Sequence, residues 1–222
     1  MDTDTAAIET AQAMAITAVA SPGDWLTGPQ RIDVWREARN AQHNELDRER
    51  RQALSPFSVE GSHQASAELT SAAVDVVHRV ASDPGRLTRS WAEQQIADIG
   101  EERYTELVGV TAITSVIDRF QRAMGRSMPE LPDPLPGEPA RERPPDVGDV
   151  GAWVSQTLGP TRANVSRTLS LVPRTNDTWR ELVDTHYSRG PQFSDMSWPR
   201  PLSRPQAELV ASRSTALNQC FY

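Results

Sequence analysis

The sequence predicts an all-α fold, a pseudo-duplicated chain whose second lobe is truncated. Three observations predict it. Apolar residues recur at helical rather than alternating spacing through most of the 222 residues. Prolines and glycines gather between those stretches. A pattern made of Trp35, Glu45, Leu46, Arg50, Ala53 and Leu54 returns at Trp198, Glu208, Leu209, Arg213, Ala216 and Leu217, at a constant offset of 163 residues. Helices rich in Ala, Leu, Glu and Arg also match by composition alone, so the repeat supports two lobes without requiring them.

Each element has its own signal. Ile32, Trp35, Ala38, Leu46 and Leu54 form a first core-facing stripe, and Leu69, Ala73, Val76, Val77 and Val80 a second. A third helix is expected from Leu87 to Ile99, closed by Gly100. A fourth runs from Glu101 through Tyr104, Leu107, Val108, Thr111 and Val116 to about Gly125, with Glu101 and Glu102 opposing its dipole. From Arg126 to Gly148 the prolines at 129, 132, 134, 136, 139, 144 and 145 leave room only for an extended linker. Helices are expected again over Trp153 to Leu171 and Asp177 to Tyr187. Ser203, Pro205 and Gln206 then form a capping box opening a helix from Arg204 to Leu217. The domain reading is a helical lobe without thiols over 1–125, a proline-rich linker over 126–150 and the start of a second lobe over 151–222. Trp91, Trp153, Trp179 and Trp198 are expected to anchor cores.

Composition excludes several functions. A formal net charge of -7 leaves no overall basic footprint for nucleic acid or an anionic membrane. The apolar stretch Ala11–Ala20 is too short to span a bilayer and lacks the positive flank of a secretory signal. With one cysteine there is no internal disulfide, and the cytoplasm is the expected compartment. His43, His63, His78 and His186 form no metal-ligand spacing, so structural zinc is not expected. Ser55, Ser58 and His63 read as a polar loop introduced by Pro56, His78 as a satisfied core or boundary histidine, and Glu106 as a surface charge in preference to a buried acid.

The chemistry is expected at the end of the sequence. Glu208 and Cys220 have eleven residues between them, in the string PLSRPQAELVASRSTALNQCFY. This resembles the alkylhydroperoxidase AhpD-like and carboxymuconolactone-decarboxylase-like superfamily, whose motif runs Glu, eleven residues, Cys, two residues, Cys, then a nearby His. The resemblance implies an AhpD-like helical bundle and a thiol- or selenol-dependent peroxide reductase. It makes Cys220 the resolving thiol and Glu208 a member of the proton relay, with no bound cofactor or metal. It further implies a small-molecule peroxide substrate, a dithiol reductant such as a lipoyl or thioredoxin-like protein, and a homo-oligomer.

The motif places its peroxide-reactive residue directly after Tyr222. Some AhpD-like proteins carry selenocysteine there, and its UGA codon is read as a stop, so a truncated selenoprotein without turnover of its own is expected. A nonsense mutation and a fragmentary gene model are the alternatives. By the 163-residue offset Phe57 stands in the place of Cys220 and Glu60 in that of the reactive residue, so no thiol chemistry is expected in the first lobe. Two other functions stay open. One is a non-catalytic helical scaffold or remnant, and the other is a lactone decarboxylase of the thiol-free branch, against which the Glu–Cys spacing argues. A lone terminal helix should leave Leu209, Val210 and Leu217 exposed.

Overall fold

Short polar side chains start most of the helices of the N-terminal body. In a computed structural model, which describes residues 3–159, 164–186 and 201–217, α1 (Thr3–Ala20) is followed by α2 (Gly28–Asn40). Thr27 caps α2 in a reciprocal box: its hydroxyl accepts from the Gln30 amide and its own amide donates to the Gln30 side chain. Asn44 caps α3 (Glu45–Gln52), Thr70 caps α4 (Ser71–Ser82) and Thr88 caps α5 (Arg89–Ile99). Each such cap satisfies an orphan amide and stabilises its helix by about 1 kcal/mol. Gly100, at φ +88°, ends α5 and turns the chain directly into α6 (Glu101–Ala123), a backbone angle that a residue with a Cβ adopts only under strain.

The core forms where α2, α4 and α6 pack on one another, with α1 against α2 and α6, α5 against α4 and α6, and α3 against α4. Val19, Val34, Trp35, Val76, Val77, Val110, Ile113 and Ile117 are wholly buried there. The Trp35 indole N–H donates to Asp118 Oδ2 at 2.9 Å. Arg39 holds the same carboxylate with two N–H groups at 2.8 Å and lies 4.9 Å over the Trp35 ring, fixing α2 to α6 at the rim of the core.

After α6 no helix or strand forms until Val147, yet residues 135–141 lie along the corner between α1 and α2. Leu135 N–H donates to Ala20 O, Ala140 N–H to Gly23 O and Arg141 N–H to Asp24 O. A two-residue antiparallel pair follows, β1 (Val147–Gly148) with β2 (Gln156–Thr157), then α7 (Asn164–Arg167) and α8 (Pro173–His186). The described chain divides into two compact units, Met1–Thr185 and His186–Tyr222. The second contains α9 (Arg204–Leu217), in which no residue is buried. Leu209, Val210 and Leu217 are exposed on it.

The structure is mostly helical, as the periodicity predicts, with corrections of detail. Within the expected helix over Trp153–Leu171 the described residues hold β2 and the single turn of α7 instead; Gly159 and Pro160 disfavour a continuous helix in the sequence there. Trp153 is exposed rather than a core anchor, whereas Trp91 is buried and Trp179 packs at the core margin. Trp198 lies outside the described residues. The first stripe is two helices broken over 41–44, which leaves Leu54 fully exposed instead of core-facing. The apolar stretch Ala11–Ala20, given no element by its composition, is the second half of α1. No helix among the described residues is long and apolar enough to cross a membrane.

Glu101, at the first position of α6, ties that helix to the segment before β2. It accepts from the Ser155 amide at 2.6 Å and from Arg143 at 3.0 Å. Burial works against its charge, but the Ser155 amide and hydroxyl and the Arg143 guanidinium together hold the carboxyl below the ordinary glutamate value. A depressed folded-state pKa gives stability that is present above the unfolded value and lost as the pH falls through the folded one. Glu101→Gln is expected to lower stability at neutral pH by roughly 1 kcal/mol, the scale of a half-exposed pair with added hydrogen bonds. The loss should shrink as the pH falls through the folded-state value, which urea melts at neutral and at acid pH compare directly.

Candidate functional site

The densest chemistry of the described residues lies in the N-terminal body, where α2, α3, α4 and the loop before α4 bring acids and imidazoles together. On α4, Asp75, His78 and Ser82 fall three and four residues apart and share one face. On α3, Asp47 and Arg50 are likewise three apart. Glu37 comes from α2 and His63 from the loop. Asp47 Oδ2 accepts from His78 Nδ1 at 2.6 Å, and Asp47 Oδ1 accepts from the Ser82 hydroxyl at 3.3 Å. His78 Nε2 donates to Glu37 Oε2 at 2.9 Å. His63 Nδ1 donates to Asp75 Oδ1 at 2.8 Å, an oxygen that Arg50 also contacts at 2.7 Å, while the Trp91 indole N–H donates to Asp75 Oδ2 at 3.2 Å.

All three central groups are buried: Asp47 is 0%, His78 2% and His63 5% exposed. Burial alone would neutralise them. For Asp47 the hydrogen bond from His78 and the charges of His63 and His78 outweigh that penalty and hold the carboxyl far below its ordinary value. The same balance, with His63 and Arg50 as partners, lowers Asp75 to about 2. His63 is raised, because Asp47 and Asp75 overcome the burial that disfavours its charged form. Two buried nitrogens of the cluster, Arg50 Nε and His63 Nε2, make no hydrogen bond, and His63 Nε2 lies at ion-pair distance, 3.4 Å, from Asp47 Oδ2. A cleft of about 320 Å³ runs alongside the two imidazoles, lined by Glu37, Asn44, Ser62, His63, Ser66 and His78 among others.

A second buried centre joins α1, α2, α6 and α8. Glu106 is wholly buried and pairs with Arg31. It also accepts from the amides of Asp24, Trp25 and Leu26 at 3.2, 2.5 and 3.0 Å. Burial pushes its carboxyl above the ordinary value, opposed by Arg31 and by the Trp25 and Leu26 amides. Arg31 donates further to Thr175 Oγ1 at 3.0 Å, and Asp24 accepts from the Arg174 and Thr175 amides in the first turn of α8. Every partner points inward to another protein group, so this centre holds the fold together. The reading of Glu106 as a surface charge is therefore corrected. Its position among Tyr104, Leu107, Val110 and Ile113 on the inner side of α6 was the available signal.

The residues the sequence singled out sit elsewhere. Glu208 is exposed on α9, with Arg204 Nε 3.7 Å away as an i, i+4 pair. Cys220 lies outside the described residues. His78 is the satisfied core histidine expected of it. The polar loop after Pro56 is present, but its His63 is buried and joined to two acids. Sequence spacing missed this cluster because its members come from four separate segments. The usable hint was that Asp75, His78 and Ser82 keep helical register beside Val76 and Val77. Comparison with family models, with curated proteins and with solved structures gives no match to this chain.

Proposed function

We propose that the protein is a thiol- or selenol-dependent peroxide reductase of the AhpD-like type, in which Cys220 is the resolving thiol and Glu208 serves the proton relay. The observation that carries the reading is the eleven-residue interval between Glu208 and Cys220. Its setting supports it. At the start of α9, the helix that carries Glu208, Gln206 Oε1 accepts from the Ser203 amide at 2.8 Å. Glu208 itself is exposed on this helix, with Arg204 Nε 3.7 Å away.

In this chemistry a thiolate or selenolate attacks the O–O bond of a hydroperoxide. The alcohol leaves after taking a proton, and a sulfenic or selenenic acid remains. Cys220 then attacks that centre, forming the S–S or Se–S bond and releasing water, and an external dithiol reduces the bond by exchange. A cytoplasmic site and a homo-oligomer belong to the same reading.

The test treats the natural gene product with an organic hydroperoxide and a lipoyl dithiol, and follows peroxide loss together with the redox state of Cys220 by mass spectrometry. Cys220→Ser should abolish the bridged form, and Glu208→Gln should slow turnover by roughly 100-fold or more, the range of a lost proton-transfer group. Cys220 that stays a free thiol through peroxide consumption, or no consumption at all, refutes the reading.

A further inference from the structure

We propose that Asp47, His63 and His78 form a binding site for one divalent transition-metal ion. This does not rest on Cys220 or on the peroxidase reading. One ligand atom from each of the three residues falls within 4.8 Å of the other two. Two imidazoles and one carboxylate are a donor set suited to zinc or ferrous iron, with positions left for water.

Three features separate the cluster from an ordinary buried ion-pair network. The first is the outer shell. A metal-binding histidine characteristically donates its second ring N–H to a carboxylate, which fixes the tautomer and raises the basicity of the ligating nitrogen. Both histidines have that partner in place: Asp75 holds His63 Nδ1 and Glu37 holds His78 Nε2. The inward atoms are thereby defined as His63 Nε2 and His78 Nδ1, and both face Asp47 Oδ2.

The second is His63 Nε2, a polar atom that makes no hydrogen bond on a side chain 3% exposed, with Asp47 Oδ2 3.4 Å away. Burying such a group without a bond is costly, and an ion at this point would supply the bond. The third is dimension. Two donors each about 2.0–2.1 Å from a tetrahedral ion lie about 3.3–3.4 Å apart. His63 Nε2 and Asp47 Oδ2 are 3.4 Å apart already. His78 Nδ1 is 2.6 Å from the same oxygen, so binding exchanges that hydrogen bond for a metal bond and moves one imidazole outward by less than an ångström. Asp47 Oδ1 stays anchored by Ser82.

Access distinguishes the site from a closed structural one. His63 and His78 both line the cleft, together with Asn44, Ser62 and Ser66, so water or a small polar ligand can complete the coordination from that side. Neutral imidazoles and a carboxylate bind the ion, so loading releases protons and weakens in acid.

The experiment uses the 222-residue chain, stripped with a chelator and titrated with Zn²⁺ by calorimetry and with Co²⁺ by visible absorption. The expected result is one equivalent bound, a rise in the unfolding midpoint that the chelator reverses, and a cobalt spectrum without a thiolate charge-transfer band. Cys220→Ser should leave all three unchanged. His63→Ala should abolish stoichiometric binding. Glu37→Gln and Asp75→Asn, which keep every ligand, should weaken it by 10- to 100-fold. Absence of stoichiometric binding by the wild-type chain overturns the proposal whether or not any variant folds, as does binding that Cys220→Ser removes or that His63→Ala leaves intact.

Discussion

Glu106→Ala is expected to be the most damaging single substitution in the N-terminal body, costing about 3–5 kcal/mol. That is the scale for removing one partner of a buried pair and leaving the other charge uncompensated. Arg31 would keep its Thr175 contact and lose its counter-ion, while the amides of Asp24, Trp25 and Leu26 would lose their acceptor together. For a unit of this size each kcal/mol shifts the unfolding midpoint by roughly 2–4 °C, so calorimetry should show a fall of about 10 °C or more.

The double variant Glu106→Leu with Arg31→Met separates charge from packing. If the loss comes from the stranded Arg31, the double variant should recover much of it, because apolar replacement of an entire buried pair is often neutral or better. A double variant as unstable as Glu106→Ala would assign the effect to the three amides instead. Gly23 faces the same centre. A Cβ there would run into the Glu106 carboxylate and the Arg31 guanidinium, so Gly23→Ala should reproduce part of the destabilisation without touching either charge.

How far these features were legible follows from where their information lies. Helix signals are local, and Thr27, Thr70, Thr88 and Gly100 mark their boundaries within one turn. The break between α5 and α6 at Gly100 was therefore readable to the residue. Burial of a polar side chain is not local. Glu106 is buried because the loop of residues 23–27 and Arg31 converge on it from about 80 residues away; α6 shows only that it shares a face with Tyr104, Leu107, Val110 and Ile113, not what would pair it. His63 and Asp47 are a harder case, since a loop and the short helix α3 meet only after α4 has placed Asp75 and His78 beside them. The helical stripe that carried Leu54 into a predicted core failed for the opposite reason: periodicity was extended through residues 41–44, where the chain turns. The Glu208 and Cys220 pair remains a reading of spacing.

Gly28→Ala tests whether the proline-rich segment is part of the fold, because helix propensity and packing predict opposite signs for it. Gly28 opens α2, where alanine would ordinarily stabilise a helix relative to glycine by roughly 0.5–1 kcal/mol. Here the added Cβ would lie 2.5 Å from the Leu135 carbonyl oxygen and 2.6 Å from that of Ala20. Both are backbone atoms, and they are linked through the Leu135 N–H to Ala20 O bond at 2.8 Å. No side-chain rotation can make room, so the end of α1 and the segment around Leu135 must separate from α2. The expected result is a net loss of about 2–3 kcal/mol, at the upper end of overpacking costs. Faster proteolysis within residues 129–141 should accompany it, as their bonds to Ala20, Gly23 and Asp24 loosen. Gly109→Ala is a second overpacking test, away from that segment: its Cβ would meet the methyl of Thr175 at 2.7 Å, a buried side chain whose hydroxyl is held by Arg31 and Asp24, and it should destabilise without changing proteolysis within residues 129–141. A stabilised Gly28→Ala with unchanged proteolysis would mean that the segment only rests against the helices and that α1, α2, α4 and α6 stand without it.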